Sequence, residues 1–311
     1  MGYTIMKTIA FTVFGMLVFA LGMSAQQLPL TNEAARLCQE KQYDAALNKI
    51  TEARKISDEA ASPYLWYVDG FIHKEIYKQN EMGNRNSPQR EMAIESFMNS
   101  LEMDKLNQHS AMTKLSLKFL ASSYYNDALL QTREFDIETD KAPTVSFNKF
   151  RKLMHVAEPG TSLKKFDGEF NKSMGQRYFM LWQMDIENAD IAEKAADMYS
   201  EVVRMDSTDS DAHYNIAVIF YNKAVFKYRK IGPDTDIFDL IVIQQDCADL
   251  IKNKALVSMN KAYQLSPDKG EVVRGLMYIH RALEHENDVE YFKNEIERLI
   301  LEGKITLPDK K

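Results

Sequence analysis

Leu120-Ala121-Ser122-Ser123-Tyr124-Tyr125-Asn126-Asp127-Ala128 returns later in the chain as Ile216-Ala217-Val218-Ile219-Phe220-Tyr221-Asn222-Lys223-Ala224, in the same order of size and polarity. A repeated helical unit cannot bury its apolar face alone and has to stack on its neighbours. The two segments therefore predict an all-α chain built from repeats, with an extended surface suited to binding.

Working outward, helical periodicity dominates and strand alternation is scarce. From Thr31 the chain reads Glu33-Ala34-Ala35-Arg36-Leu37-Cys38, then Gln42-Tyr43-Asp44-Ala45-Ala46-Leu47 with Ile50 and Ala53. Apolar residues at i, i+3, i+4 and i+7 give each piece one buried face, and together the pieces predict a helical hairpin.

The spacing Ala46, Ile50, Ala53 resembles the second helix of a tetratricopeptide repeat (TPR), which carries a small residue, a bulky one four later, a small one three after that, and a Pro five beyond. Ala255, Met259, Ala262 and Pro267 fit all four places; Ala93, Phe97 and Ser100 fit three. Ala195, Tyr199 and Val202 fit with Val in the second small place, and Phe147 and Phe150 give a weaker version ahead of Pro159. Small residues let paired helices approach while the bulky one fills the gap. The first helix of such a repeat carries a small residue at its crossing point, a place matched by Ala121, Ala217 and, after Trp66, Gly70. The resemblance implies a right-handed α-solenoid of about six stacked TPR-like hairpins: Thr31 to Lys55, Ala60 to Met103, Gln108 to Val156, Leu163 to Met205, Asp209 to Leu265, and Pro267 to Leu301. Most units exceed the standard repeat of about 34 residues. The extra length falls at Asn80 to Pro88, Glu134 to Pro143 and Lys230 to Asp236, each read as a loop. The match is poorest around 143–183.

The N-terminus is set apart. Lys7, the apolar run Ile9 to Leu21, and small residues ending at Ser24-Ala25 have the layout of a signal peptide over 1–25. An uncleaved anchor is the competing reading, though the run sits at the bottom of the spanning range. The helical repeat domain is assigned to 26–302 and a disordered tail to 303–311. No later segment is apolar and long enough to span a membrane, so the expected product is exported to the periplasm or outer membrane, or secreted. A net charge of −6 argues against an electrostatic grip on nucleic acid. Cys38 and Cys247 are far apart in sequence and read as two buried small apolar residues.

Enzymatic motifs are missing on close reading. Gly270 and Gly275 have the spacing of a phosphate loop, but Leu276 stands where the Lys belongs. His285-Glu286 begins like a zinc-protease motif, but Val289 replaces its second His. On one continuous helix, His280 and His285 are about 140° apart around the axis and cannot share a metal face. Asp206, Asp209 and Asp211 lie where one helix ends and the next begins, and read as caps, as do Asp234, Asp236 and Asp239. The expectation is no enzyme, no metal and no cofactor.

In TPR proteins the concave groove is lined by the first helix of each hairpin. Carried over in register, the resemblance implies Tyr67 and Phe71 (with Lys74), then Lys118, Ser122, Tyr125 and Asn126, then Tyr214, Val218, Tyr221 and Asn222, and last Arg274, Tyr278 and Arg281. Aromatic bodies with polar tips, interleaved with Asn and Arg, suit an extended or helical peptide. The carboxylate clamp of some TPR groups is not reproduced, since Asp211, Tyr214 and Glu271 occupy its places. The expected function is a scaffold for protein or peptide partners in an envelope complex. A carbohydrate or small-molecule module using the same tyrosines is the alternative, and an unrecognised hydrolase the third.

Overall fold

The computed structural model describes residues 28–306, and among them all regular structure is helical. The signal-peptide segment 1–25 lies outside the described residues, as does 307–311. None of the described helices is long and apolar enough to cross a membrane.

The chain divides between Ser116 and Leu117 into two compact units. The first holds α1 (Pro29–Gln39), α2 (Tyr43–Ala53), the single turn α3 (Ser57–Ala60), α4 (Pro63–Ile76) and α5 (Pro88–Met103). Helix α4 runs on into a π-helical turn, Tyr77–Glu81. Proline opens α1, α4 and α5, where its missing N–H costs nothing. Ser62 and Ser87 accept hydrogen bonds from the amides of Tyr64 and Arg90 at the starts of α4 and α5. The start of α1 is closed differently: the buried Glu59 of α3 accepts the Thr31 amide at 2.8 Å and the Thr31 hydroxyl at 2.6 Å.

Consecutive helices pack as pairs, α1 on α2 and α4 on α5. Ala46, Ile50 and Ala53 on α2 are buried, as are Ala93, Phe97 and Ser100 on α5. Gly70 of α4 meets the Phe97 ring so closely that a Cβ there would lie 2.8 Å from Cδ1. Ser100 donates to the Pro63 carbonyl at 2.9 Å, tying the far ends of the same pair. Between these contacts sits a buried polar group: the Asp69 carboxylate accepts from Arg54 at 2.7 Å and from the Ser96 hydroxyl.

The second unit starts within α6 (Ser110–Glu134) and contains α7 (Lys141–Ala157), α8 (Lys164–Met184), α9 (Ala189–Met205), α10 (Ser210–Arg229), α11 (Ile237–Asp249), α12 (Leu256–Leu265), α13 (Gly270–Ala282) and α14 (Glu286–Leu301). A π-helical stretch, Leu250–Ala255, joins α11 directly to α12. Helices α8 and α9 pack on each other, as do α10 with α12 and α13 with α14. In the quoted duplicate, Leu120, Ala121 and Ala128 are buried, and so are Ile216, Ala217 and Ala224. The fifth place differs, since Tyr124 is buried while Phe220 is half-buried with the Lys254 ammonium 4.6 Å from its ring centre.

The glycine-on-bulky contact recurs here. A Cβ on Gly175 of α8 would lie 2.9 Å from the Tyr199 ring of α9, and one on Gly275 of α13 would collide with the Met259 side chain of α12. Gly275 thus sits where α12 and α13 approach closely. Residues 303–306, expected as the start of a disordered tail, fold back instead: Lys304 pairs with Asp268 at 2.6 Å, and Ile305 packs where a Gly270 side chain would be.

Candidate functional site

The residues expected to line one groove divide into three environments. In the first unit Tyr67 is a correction. It is 5 % exposed, its ring stacks on His109 at 6.0 Å and meets Phe97 at 6.2 Å, and burial pushes its phenol up to about 12. The ring is drawn inward by its contacts with the rings of Phe97 and His109. Phe71, one turn on, is half-buried, with the Lys74 ammonium 4.0 Å above its ring.

On α6, Tyr125 is half-buried, as Tyr221 is on α10. Its ring lies 5.0 Å from both Phe150 and Phe166, and its hydroxyl donates to Glu169 at 2.6 Å. Burial and then the Glu169 carboxylate raise its pKa. The half-buried ring belongs to an aromatic cluster with Phe147, Phe150 and Phe166, and its polar tip is already satisfied. Lys118 is committed to Glu158, and Ser122 donates to the Lys118 carbonyl at 3.0 Å. Asn126 is exposed, apart from that cluster's interior.

On α10 and α13 the expected residues do meet. Tyr214, Val218 and Tyr221 are half-buried, resting on the core formed by Ala217, Leu276 and their neighbours. Tyr278 is 47 % exposed, and the Arg281 guanidinium lies 5.9 Å from its ring centre. The Lys269 ammonium lies 5.8 Å from the Tyr214 ring. Burial raises the Tyr221 pKa; Tyr278 pushes it the same way, while Arg281 and Arg229 oppose. Tyr214 is raised by burial and by Glu271, against Lys269 and the half-buried Arg274. Two adjacent helices thus carry Tyr214, Tyr221 and Tyr278 with Lys269, Arg274 and Arg281 nearby, and Lys269 itself pairs with Asp211 and Glu271. Asn222, one residue beyond Tyr221, is turned the other way, into a shallow open depression with Trp182, Gln183 and Phe226.

Two features escaped the sequence. Helix α11 supplies Cys247 to the core but leaves Ile237, Phe238, Ile241 and Val242 between 44 % and 75 % exposed. His280 and His285, held apart by the assumption of a continuous helix, are brought together because α13 ends at Ala282 and the chain turns. Their Nδ1 atoms are 3.2 Å apart. Of the Asp cluster, Asp209 accepts from the Ala212 amide at 2.9 Å and Asp206 from the Thr208 amide at 2.9 Å, while Asp211 pairs with Lys269 and does not cap.

Compared with known proteins, the sequence matches no family model and no curated protein significantly. The geometry of α10 and α13 therefore carries the functional argument.

Proposed function

We propose that this chain is an exported scaffold of TPR type, in which the hairpins of each unit stack as a right-handed α-solenoid and the face of α10 and α13 holds a peptide segment of a protein partner in the cell envelope. The observation that carries the reading is the row Tyr214, Tyr221 and Tyr278 with Lys269, Arg274 and Arg281 beside it. Half-buried tyrosines keep few rotamers, so ordering them on a ligand costs little, and a phenol offers apolar area and a hydrogen bond together. The Arg274 and Arg281 guanidiniums beside the phenols select acidic side chains or backbone carbonyls. The exposed apolar strip on α11 is a second surface of the kind that marks macromolecular contact. The function is binding, without catalysis.

Photo-cross-linking in the native cell tests the reading. A photoreactive phenylalanine analogue replaces Tyr278 on the face, or Tyr291 on α14, which is 52 % exposed and so a matched control. The reading requires a protein adduct from position 278 that position 291 does not give; adducts of equal yield from both refute it.

A further inference from the structure

The turn between α13 and α14 places three metal-binding atoms together by backbone geometry. Leu283 closes α13, Glu284 sits in the left-handed region at φ 59°, its amide bonds to the Arg281 carbonyl at 3.2 Å, and the His285 amide bonds to the His280 carbonyl at 3.0 Å. That pattern is a Schellman turn, which brings the side chain two past the helix end against the one on its last turn. The same turn ends α1, with Lys41 at φ 61° and the Gln42 amide on the Leu37 carbonyl, and ends α14, with Gly303 at φ 69° and the Lys304 amide on the Leu299 carbonyl. Those two put Leu37 beside Gln42 and Leu299 beside Lys304; at α13 the corresponding pair is His280 and His285.

A third group comes from the start of α14. His285 is its N-cap, and the Asp288 amide bonds back to the His285 carbonyl at 3.1 Å. This position aims the Asp288 side chain at the cap residue. Its Oδ2 lies 3.4 Å from His280 Nδ1 and 3.8 Å from His285 Nδ1. With the 3.2 Å between the two nitrogens, the nearest point equidistant from all three atoms lies in their plane about 2.0 Å from each, and an ion raised above that plane toward a fourth ligand stays within the Zn–N and Zn–O range of about 2.0–2.2 Å.

We propose that His280, His285 and Asp288 bind a zinc-class divalent ion through His280 Nδ1, His285 Nδ1 and Asp288 Oδ2, clasping the end of α13 to the start of α14. Three protein donors leave one position of a tetrahedral ion for water or a ligand. Two imidazoles and one carboxylate suit zinc and its transition-metal neighbours, and not calcium or magnesium, which take oxygen. His280 is 8 % exposed, with Phe292 stacked on its ring at 5.5 Å and 22°, so its plane is set before the ion arrives. His285 and Asp288 are exposed, giving the ion a way in, and the acidic neighbours Glu284 and Glu286 add to the local negative charge. The sequence hid the site because neither the helix break nor a non-glycine residue in the left-handed region carries a clear signal.

The experiment titrates zinc chloride by calorimetry into untagged, chelator-stripped full-length protein and into His285→Ala and Asp288→Ala, whose exposed side chains can be removed without opening the core. The expected result is one tight site in the wild type, a loss of affinity of at least ~10-fold in each variant, and a zinc-dependent rise in Tm seen only in the wild type. Cobalt titration should give the visible absorption of a tetrahedral site. Equal zinc affinity in all three proteins, or no binding to the wild type, overturns the proposal. These outcomes do not depend on whether α10 and α13 bind peptide.

Discussion

Gly70→Ala adds one methyl group at the crossing of α4 and α5, and its cost is set by the ring it meets. The new Cβ would stand 2.8, 2.9 and 3.0 Å from Cδ1, Cε1 and Cγ of Phe97. Contacts this short require movement. Phe97 has no exposed surface, and its ring is already packed against Tyr67 at 6.2 Å, so it has nowhere to go. Overpacking of a filled core costs roughly 1–3 kcal/mol, while replacing Gly by Ala inside a helix returns about 1 kcal/mol. The expected net destabilisation is about 1 kcal/mol, with opposite signs in its two parts. A double-mutant cycle with Phe97→Leu separates them. The smaller side chain alone should cost about 1 kcal/mol through lost burial, but it makes room for the methyl group, so the double variant should be less destabilised than the sum by about 1 kcal/mol or more. Hydrogen exchange across 63–103 under graded urea reads the stability of this pair directly, without assuming that the two units unfold together. A Gly70→Ala protein about 1 kcal/mol more stable than wild type, or a cycle additive within about 0.5 kcal/mol, would refute the close-approach argument.

Two further outcomes follow from single side chains. Asp104 accepts from the amides of Gln108 at 2.9 Å and His109 at 2.7 Å and from the Ser110 hydroxyl at 3.0 Å; burial raises its pKa, but those three bonds outweigh it and the net shift is downward. A lowered carboxyl pKa contributes stability above the unfolded value of 3.8 and loses it as pH falls through the folded one, so the advantage of wild type over Asp104→Asn in exchange protection of 104–116 should hold at neutral pH, shrink below 3.8, and vanish in stronger acid; a gap constant down to pH 2 would contradict it. Glu284→Gly relieves a left-handed residue whose conformation costs an L side chain about 1 kcal/mol, and Tm should rise; a fall in Tm would mean that the Glu284 side chain contributes more than its backbone costs.

The buried rows on α2, α5, α9 and α12 were legible because each depends on spacing alone: Ala93 with Phe97 or Ala255 with Met259 falls on one helical face wherever the helix sits. Gly70 was legible for the same reason. Surface assignments were not, because they depend on what lies across the gap. Tyr67 and Phe71 share a face one turn apart, yet Tyr67 is the one that meets Phe97 and His109. Tyr125 looks identical to Tyr221 in the duplicate and both are half-buried; only the next hairpin, with Phe166 and Glu169, decides that the first has its hydroxyl engaged. The π-helical stretch at Leu250–Ala255 shifts the register of α12 relative to α11 without a Gly or Pro to mark it. The histidine pair is the sharpest case, since counting 100° per residue assumes the helix that Glu284 ends.

The most direct measurement of the central claim is the affinity of the face for its ligand. Once cross-linking from Tyr278 identifies the bound segment, a synthetic peptide of that segment is titrated calorimetrically into wild type, Tyr221→Ala and Tyr291→Ala. An anchor tyrosine is worth about 1.4 kcal/mol or more, a factor of ~10 in Kd. The account predicts that loss for Tyr221→Ala and an unchanged Kd for Tyr291→Ala. Equal Kd for wild type and Tyr221→Ala, or a loss confined to Tyr291→Ala, would contradict it.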